Sequence, residues 1–141
     1  MRLATKFEDY ITTIVQPTVD EFYRNSHSSR SAFLACLVIY HCVDYASPNL
    51  DRKSVRETTF LWNKESLAFS VIDVVANHIK HVKSMSQKDA EKGIRVDGIP
   101  MFQAIFKPQV SDADNLDLHS LYFLIRQAFA FVSSKANLNL S

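Results

Sequence analysis

At 141 residues, with 47% hydrophobic and 22% charged residues and only two glycines and four prolines, the chain has the makeup of one folded domain. That composition excludes a disordered or collagen-like chain, and the scarcity of glycine argues against an all-β fold, whose tight turns use it by default. Sixteen Lys+Arg against fifteen Asp+Glu leave a formal net charge of +1, so no global charge drives the chain onto nucleic acid or an anionic membrane.

The first nine residues, MRLATKFED, lack the uncharged core of a signal peptide. The longest uncharged run, 31–43, is shorter than the ~20 residues of a membrane span. A soluble, cytoplasmic protein that engages no membrane is therefore expected. Phe7, Ile11, Ile14, Thr18 and Phe22 recur at three- and four-residue spacing and predict an amphipathic helix. Pro17 interrupts it, so either the helix kinks there or a second helix begins with proline in its first turn. Residues 25–29 are a polar break.

The stretch 31–45 is apolar all round, which predicts a central, buried helix ended by the turn residues Ala46-Ser47-Pro48-Asn49. Cys36 and Cys42 lie within it, six residues apart on opposite sides, too far to bridge, and read as reduced, buried thiols. Ser54-Val55-Arg56-Glu57 has the pattern of a capping box and predicts a short helix to about Asn63. The next helix, about 66–84, places Ala68, Val71, Ile72, Val75, Ile79 and Val82 on one core stripe. Asp73, Asn77 and Lys80 fall opposite that stripe, with His78 and His81 at its flanks. Residues 84–97 read as a mobile polar loop. Met101, Phe102, Ile105 and Phe106 then pack either an ordered loop or a short helix. Asp114 is placed to cap a last helix over about 115–135 with the stripe Leu118, Leu121, Tyr122, Ile125, Phe129 and Val132, and residues 136–141 should fray. The expected architecture is all-α: a compact bundle of four main helices and one short one in a single domain.

Three groups of residues bear on chemistry. His41 and Asp44, three apart on one helix, share a face, so Asp44 can fix the tautomer of His41 for acid–base work; a buried pair satisfying itself is the plainer reading. Asp73, Asn77, Lys80 and His81 form a solvated helix face, or they meet His41 and Asp44 across two helices to make a polar pocket. In that arrangement Lys80, His81 and Lys83 are placed to hold an anion such as phosphate. No cysteine or histidine pair has the spacing of a strong metal motif, and neither a nucleophile elbow nor a Gly-rich phosphate loop occurs, so no metal or cofactor is expected.

Thr18-Val19-Asp20-Glu21-Phe22, the run from Arg30 to Ala35 continuing to Tyr40-His41-Cys42-Val43-Asp44-Tyr45, and the helix from Asp73 to Val82 together resemble a group of short bacterial helical proteins without an established activity. More distantly, a four-helix core with a D-x-x-A-N-x-x-K-H helix is similar to HEPN-type domains. That family includes metal-independent RNases of toxin, defence and RNA-processing systems and catalytically silent binding members, and it usually works across a dimer. Its active members carry an Arg followed by His after four to six residues. No Arg of this chain has a His at that distance, and Lys80-His81 would stand as a substitute. The resemblance implies a homodimeric helical domain. The leading expectation is a non-enzymatic interaction module for a protein or RNA partner. The rivals are an RNase using His41 or His81 with Lys80, and a small-ligand sensor with its pocket at His41.

Overall fold

The computed structural model describes residues 6–49, 51–81 and 118–140, with side chains over 6–49, 51–78 and 120–140. Among the described residues there is no strand, and five helices pack together, as the apolar spacing predicts. The first is continuous from α1 (Phe7–Tyr10) through a π turn (Ile11–Val15) into α2 (Gln16–Arg24). The second is α3 (Ser29–Tyr40), broken at His41 and resumed as the single turn and a half of α4 (Cys42–Ala46). Then come α5 (Arg52–Glu65), α6 (Leu67–His81) and α7 (Leu118–Lys135). No described helix is long and apolar enough to cross a membrane.

The two possibilities at Pro17 are realised together. Proline has no N–H to continue the ladder, and its ring strikes the carbonyl four residues back. The chain widens to a π turn just before it, with the Gln16 N–H donating to the Ile11 carbonyl, and α2 starts with the proline in its first turn. The extra residue rotates the buried face. Ile11, Val15, Val19 and Phe22 are buried, whereas Ile14, assigned to the stripe by regular spacing, is 40% exposed.

Local chemistry sets the remaining ends. The Ser28 hydroxyl accepts the Ser31 N–H at 3.1 Å and starts α3. The cap of α5 is not Ser54, as its sequence pattern predicts, but Asp51, whose carboxylate accepts the Ser54 N–H at 2.7 Å. Ser54 sits in the first turn and its hydroxyl accepts the Asn49 N–H at 3.3 Å, which ties the preceding turn to the start of α5. At the far end, Asn137 adopts φ 59°, and the Leu138 and Asn137 N–H groups return to the Ser133 and Ser134 carbonyls. This Schellman cap, with Ala136 buried and Leu138 and Leu140 packed on the core, ties down residues that terminal position alone marks for fraying.

The stretch buried on all sides lies in α6 rather than α3. Every residue from Ala68 to Ala76 is buried, because α6 is enclosed by α3, α5 and α7. On α3 the buried residues are Ala32, Ala35, Cys36 and Ile39, while Leu34 on its other side is 40% exposed. One cluster of buried apolar side chains runs through all five helices. Phe22, Phe69 and Phe129 are fully enclosed, each contributing roughly 2–3 kcal/mol by burial. The loop expected over 84–97, the apolar segment with Met101 and Phe106, and the Asp114 cap lie outside the described residues.

Candidate functional site

Two polar clusters flank the end of α3. The first stands at the break. The last carbonyls of a helix have no partner within it, and α3 meets this locally. The His41 N–H donates to the Leu37 carbonyl at 3.1 Å, and the Tyr10 hydroxyl of α1 donates to the Val38 carbonyl at 2.7 Å. Tyr10 also stacks on Tyr45, with ring centroids 4.1 Å apart, so α1 clamps both sides of the break. Burial raises the Tyr10 phenol well above its ordinary pKa, with Cys42, Tyr45 and Asp44 adding to the rise, so it stays a donor.

His41 caps α4 and Asp44 lies in its first turn, with the Asp44 N–H on the His41 carbonyl. Their side chains meet at 2.9 Å between His41 Nδ1 and Asp44 Oδ2. This contact fixes Nδ1 as the donating nitrogen of the neutral ring. Leu34, two helical turns before His41 on the same side of α3, is 40% exposed, and the two side chains of the pair are likewise 37% and 45% accessible. Cys36 and Cys42 are free and buried, and burial raises both thiols far above the ordinary cysteine range, so neither is a nucleophile.

The second cluster corrects the placement of Asp73. Its position opposite the apolar stripe predicts a solvated residue, yet it is 6% exposed, because α5 covers that side of α6. The Asn63 amide of α5 donates to Asp73 Oδ2 at 2.8 Å, and the Asn77 amide donates to Oδ1 at 2.6 Å and to the Asp73 backbone carbonyl at 2.9 Å. Desolvation pushes the Asp73 carboxyl up to about 6, and the two amides restrain the rise. The Asn63 Oδ1 is buried without a hydrogen-bond partner among the described residues.

Tyr40 stands between the clusters. Burial raises its phenol pKa, the Asp73 charge adds to that, the Asn77 amide offsets part of it, and Asp44 adds a smaller rise. The Tyr40 ring lies 5.4 Å from that of His41. Among the described residues no hydrogen bond links His41 or Asp44 directly to Asp73 or Asn77. Asn63 and Tyr40 are the members that residue patterning misses; adjacency of Tyr40 to His41 is the one signal that points to it. The side chains of Lys80, His81 and Lys83, assigned to an anion site, lie outside the described residues. Among the described residues no group of three His, Cys, Asp or Glu is arranged to hold a metal ion.

A third feature is apolar. Helix α5 is anchored on its inner side at four residues. Thr58 receives the Ser47 hydroxyl at 3.1 Å, Asn63 donates to Asp73, and Glu65 pairs with Lys135 of α7. The fourth, Trp62, meets Phe69 and Phe131 edge-on at 5.2 and 5.6 Å and stacks on Phe7. On the opposite side Phe60 and Leu61 are 59% and 55% exposed, and Leu67 just beyond the helix is exposed too. The Lys64 ammonium lies 4.4 Å from the Phe60 ring centroid.

Compared with known proteins, the chain matches no family model, no curated protein and no solved structure.

Proposed function

We propose that this chain is a non-enzymatic helical interaction module that binds a protein partner through the outer face of α5. The observation that carries the reading is the exposure of Phe60 and Leu61 on a helix whose inner face is pinned to three other helices. An apolar pair held rigidly in this way loses little freedom when covered, so more of its contact energy becomes affinity. Its charges favour a protein over RNA. Glu57 stands exposed among Arg52, Lys53, Arg56 and Lys64 and interrupts them, so the face is not the uniform basic stripe that phosphates select.

A photo-crosslinking side chain at Leu61, compared with one at the exposed Thr13, tests this in the cells that make the protein. A discrete protease-sensitive adduct from position 61 and none from position 13 is expected. Equal labelling from both positions, or a nuclease-sensitive adduct, overturns the reading.

The second reading, a metal-independent RNase, draws on the outward-facing His41–Asp44 pair, which leaves Nε2 of a tautomer-fixed imidazole available for acid–base work. RNA cleavage in metal-free buffer that disappears in His41→Ala would establish it. Intact RNA under those conditions ends it.

A further inference from the structure

We infer that the occupant of the α5 face is a second copy of this chain, paired antiparallel to the first about a two-fold axis passing between Phe60 and Leu61. The inference rests on α5 serving as the docking face. It is carried by how the charges on that face are spaced.

Glu57 and Lys64 are exposed and seven residues apart, two helical turns, so they lie on nearly the same line along α5. Phe60 and Leu61 sit midway between them in height and fall about 50° to either side of that line. A two-fold axis at this midpoint reverses the helix and exchanges the two ends. Lys64 then faces the second copy's Glu57, and Glu57 faces the second copy's Lys64. Between these two ion pairs Phe60 meets its own counterpart on one side of the seam, and Leu61 meets its counterpart on the other. The face is self-complementary in the way an isologous contact requires, each patch supplying what its copy lacks.

Two more observations agree with this register. Among the described residues neither Glu57 nor Lys64 has an ion-pair partner, whereas Glu65 is engaged by Lys135. Lys64 already lies against its own Phe60 ring, which keeps the ammonium beside the apolar pair on the same face. A helix of this length gives a contact only roughly 21 Å long, well short of a large obligate interface, so a dimer in the micromolar range is expected.

Sedimentation of the purified full chain from low to high micromolar concentration tests the inference. Wild type is expected to move from monomer to dimer. Glu57→Lys and Lys64→Glu each set like charges opposite one another twice and should weaken the dimer more than about tenfold. The double swap Glu57→Lys with Lys64→Glu should restore it. Mixing the two single variants should yield a heterodimer, since each then carries the charges the other lacks. Glu57, Phe60 and Lys64 are all exposed, and unchanged helical circular dichroism confirms that the variants fold. Wild type that stays monomeric overturns the second copy while leaving the docking face intact, if the Leu61 crosslink still captures a different protein. A dimer indifferent to Phe60→Asp, or single variants that weaken the dimer without rescue by the swap, overturns the antiparallel register.

Discussion

The Asn63 amide of α5 donates to the Asp73 carboxylate of α6 at 2.8 Å, and this bond crosses the interface between a helix with an exposed outer face and the most buried of the described helices. It supports a charge where the packing opposes one. Asp73 is held about two units above its ordinary carboxyl pKa of 3.8, at about 6. The folded protein therefore binds the Asp73 proton more tightly than the unfolded chain. The contribution of this group to stability is complete below about pH 4 and is lost as pH rises through 6. In Asp73→Asn that loss is absent, and an amide at this position offers a donor to the unpartnered Asn63 Oδ1. Urea denaturation of both proteins should show the variant gaining on wild type between pH 4 and 7, by on the order of 2 kcal/mol. Parallel stability curves would refute the assignment.

Tyr10→Phe keeps the ring stacked on Tyr45 and removes only the hydroxyl that meets the Val38 carbonyl. The second contact to that carbonyl, from Cys42 Sγ at 3.7 Å, is too weak to replace it. A loss of about 1–2 kcal/mol is expected in equilibrium denaturation. A loss below a few tenths would mean that water serves the carbonyl equally well.

His41→Ala and Asp44→Ala should behave differently from these buried changes. Both side chains are more than a third exposed, so solvent screens their attraction and each substitution should cost less than about 1 kcal/mol. The coupling between them, from a double-mutant cycle, should be a few tenths of a kcal/mol. A coupling of several kcal/mol would show the pair to be a structural element rather than an accessible one.

Ser133 is fully buried, and its hydroxyl has no hydrogen-bond partner among the described residues. Ser133→Ala removes the unsatisfied group and leaves only a small void, so the thermal midpoint should rise, by about 1 kcal/mol in stability terms. A fall in the midpoint would place an ordered water on that hydroxyl.

Periodicity reads well where a helix has one wet side. The stripe on α7 follows Leu121, Ile125, Phe129 and Val132, and all four are buried. It fails on α6, because periodicity reports only the residues of its own helix. Asp73 sits opposite the apolar stripe, and whether that side meets water depends on where α5 lies, which no spacing within α6 encodes. The His41–Asp44 contact is legible from the three-residue separation, and their exposure is not. Exposure follows from the wet side of α3, on which Leu34 is already 40% exposed and which the neighbouring helices leave uncovered. Both errors have one origin: a polar residue's surroundings are set by the tertiary neighbours that its own segment does not contain.

The π turn at Ile11–Val15 bears on how this protein can vary in length. An ordinary α turn there would contain one residue fewer, so the first helix holds a spare position ahead of Pro17. Deleting one residue from that turn would bring the ladder back to normal pitch and set the proline ring against a carbonyl it now avoids. Exchanging Pro17 alone would free the turn to tighten and swing the residues from Val19 to Phe22 out of phase with the core. The spare residue and the proline are a matched pair, and a shortened form of this helix retains its packing when both are lost together.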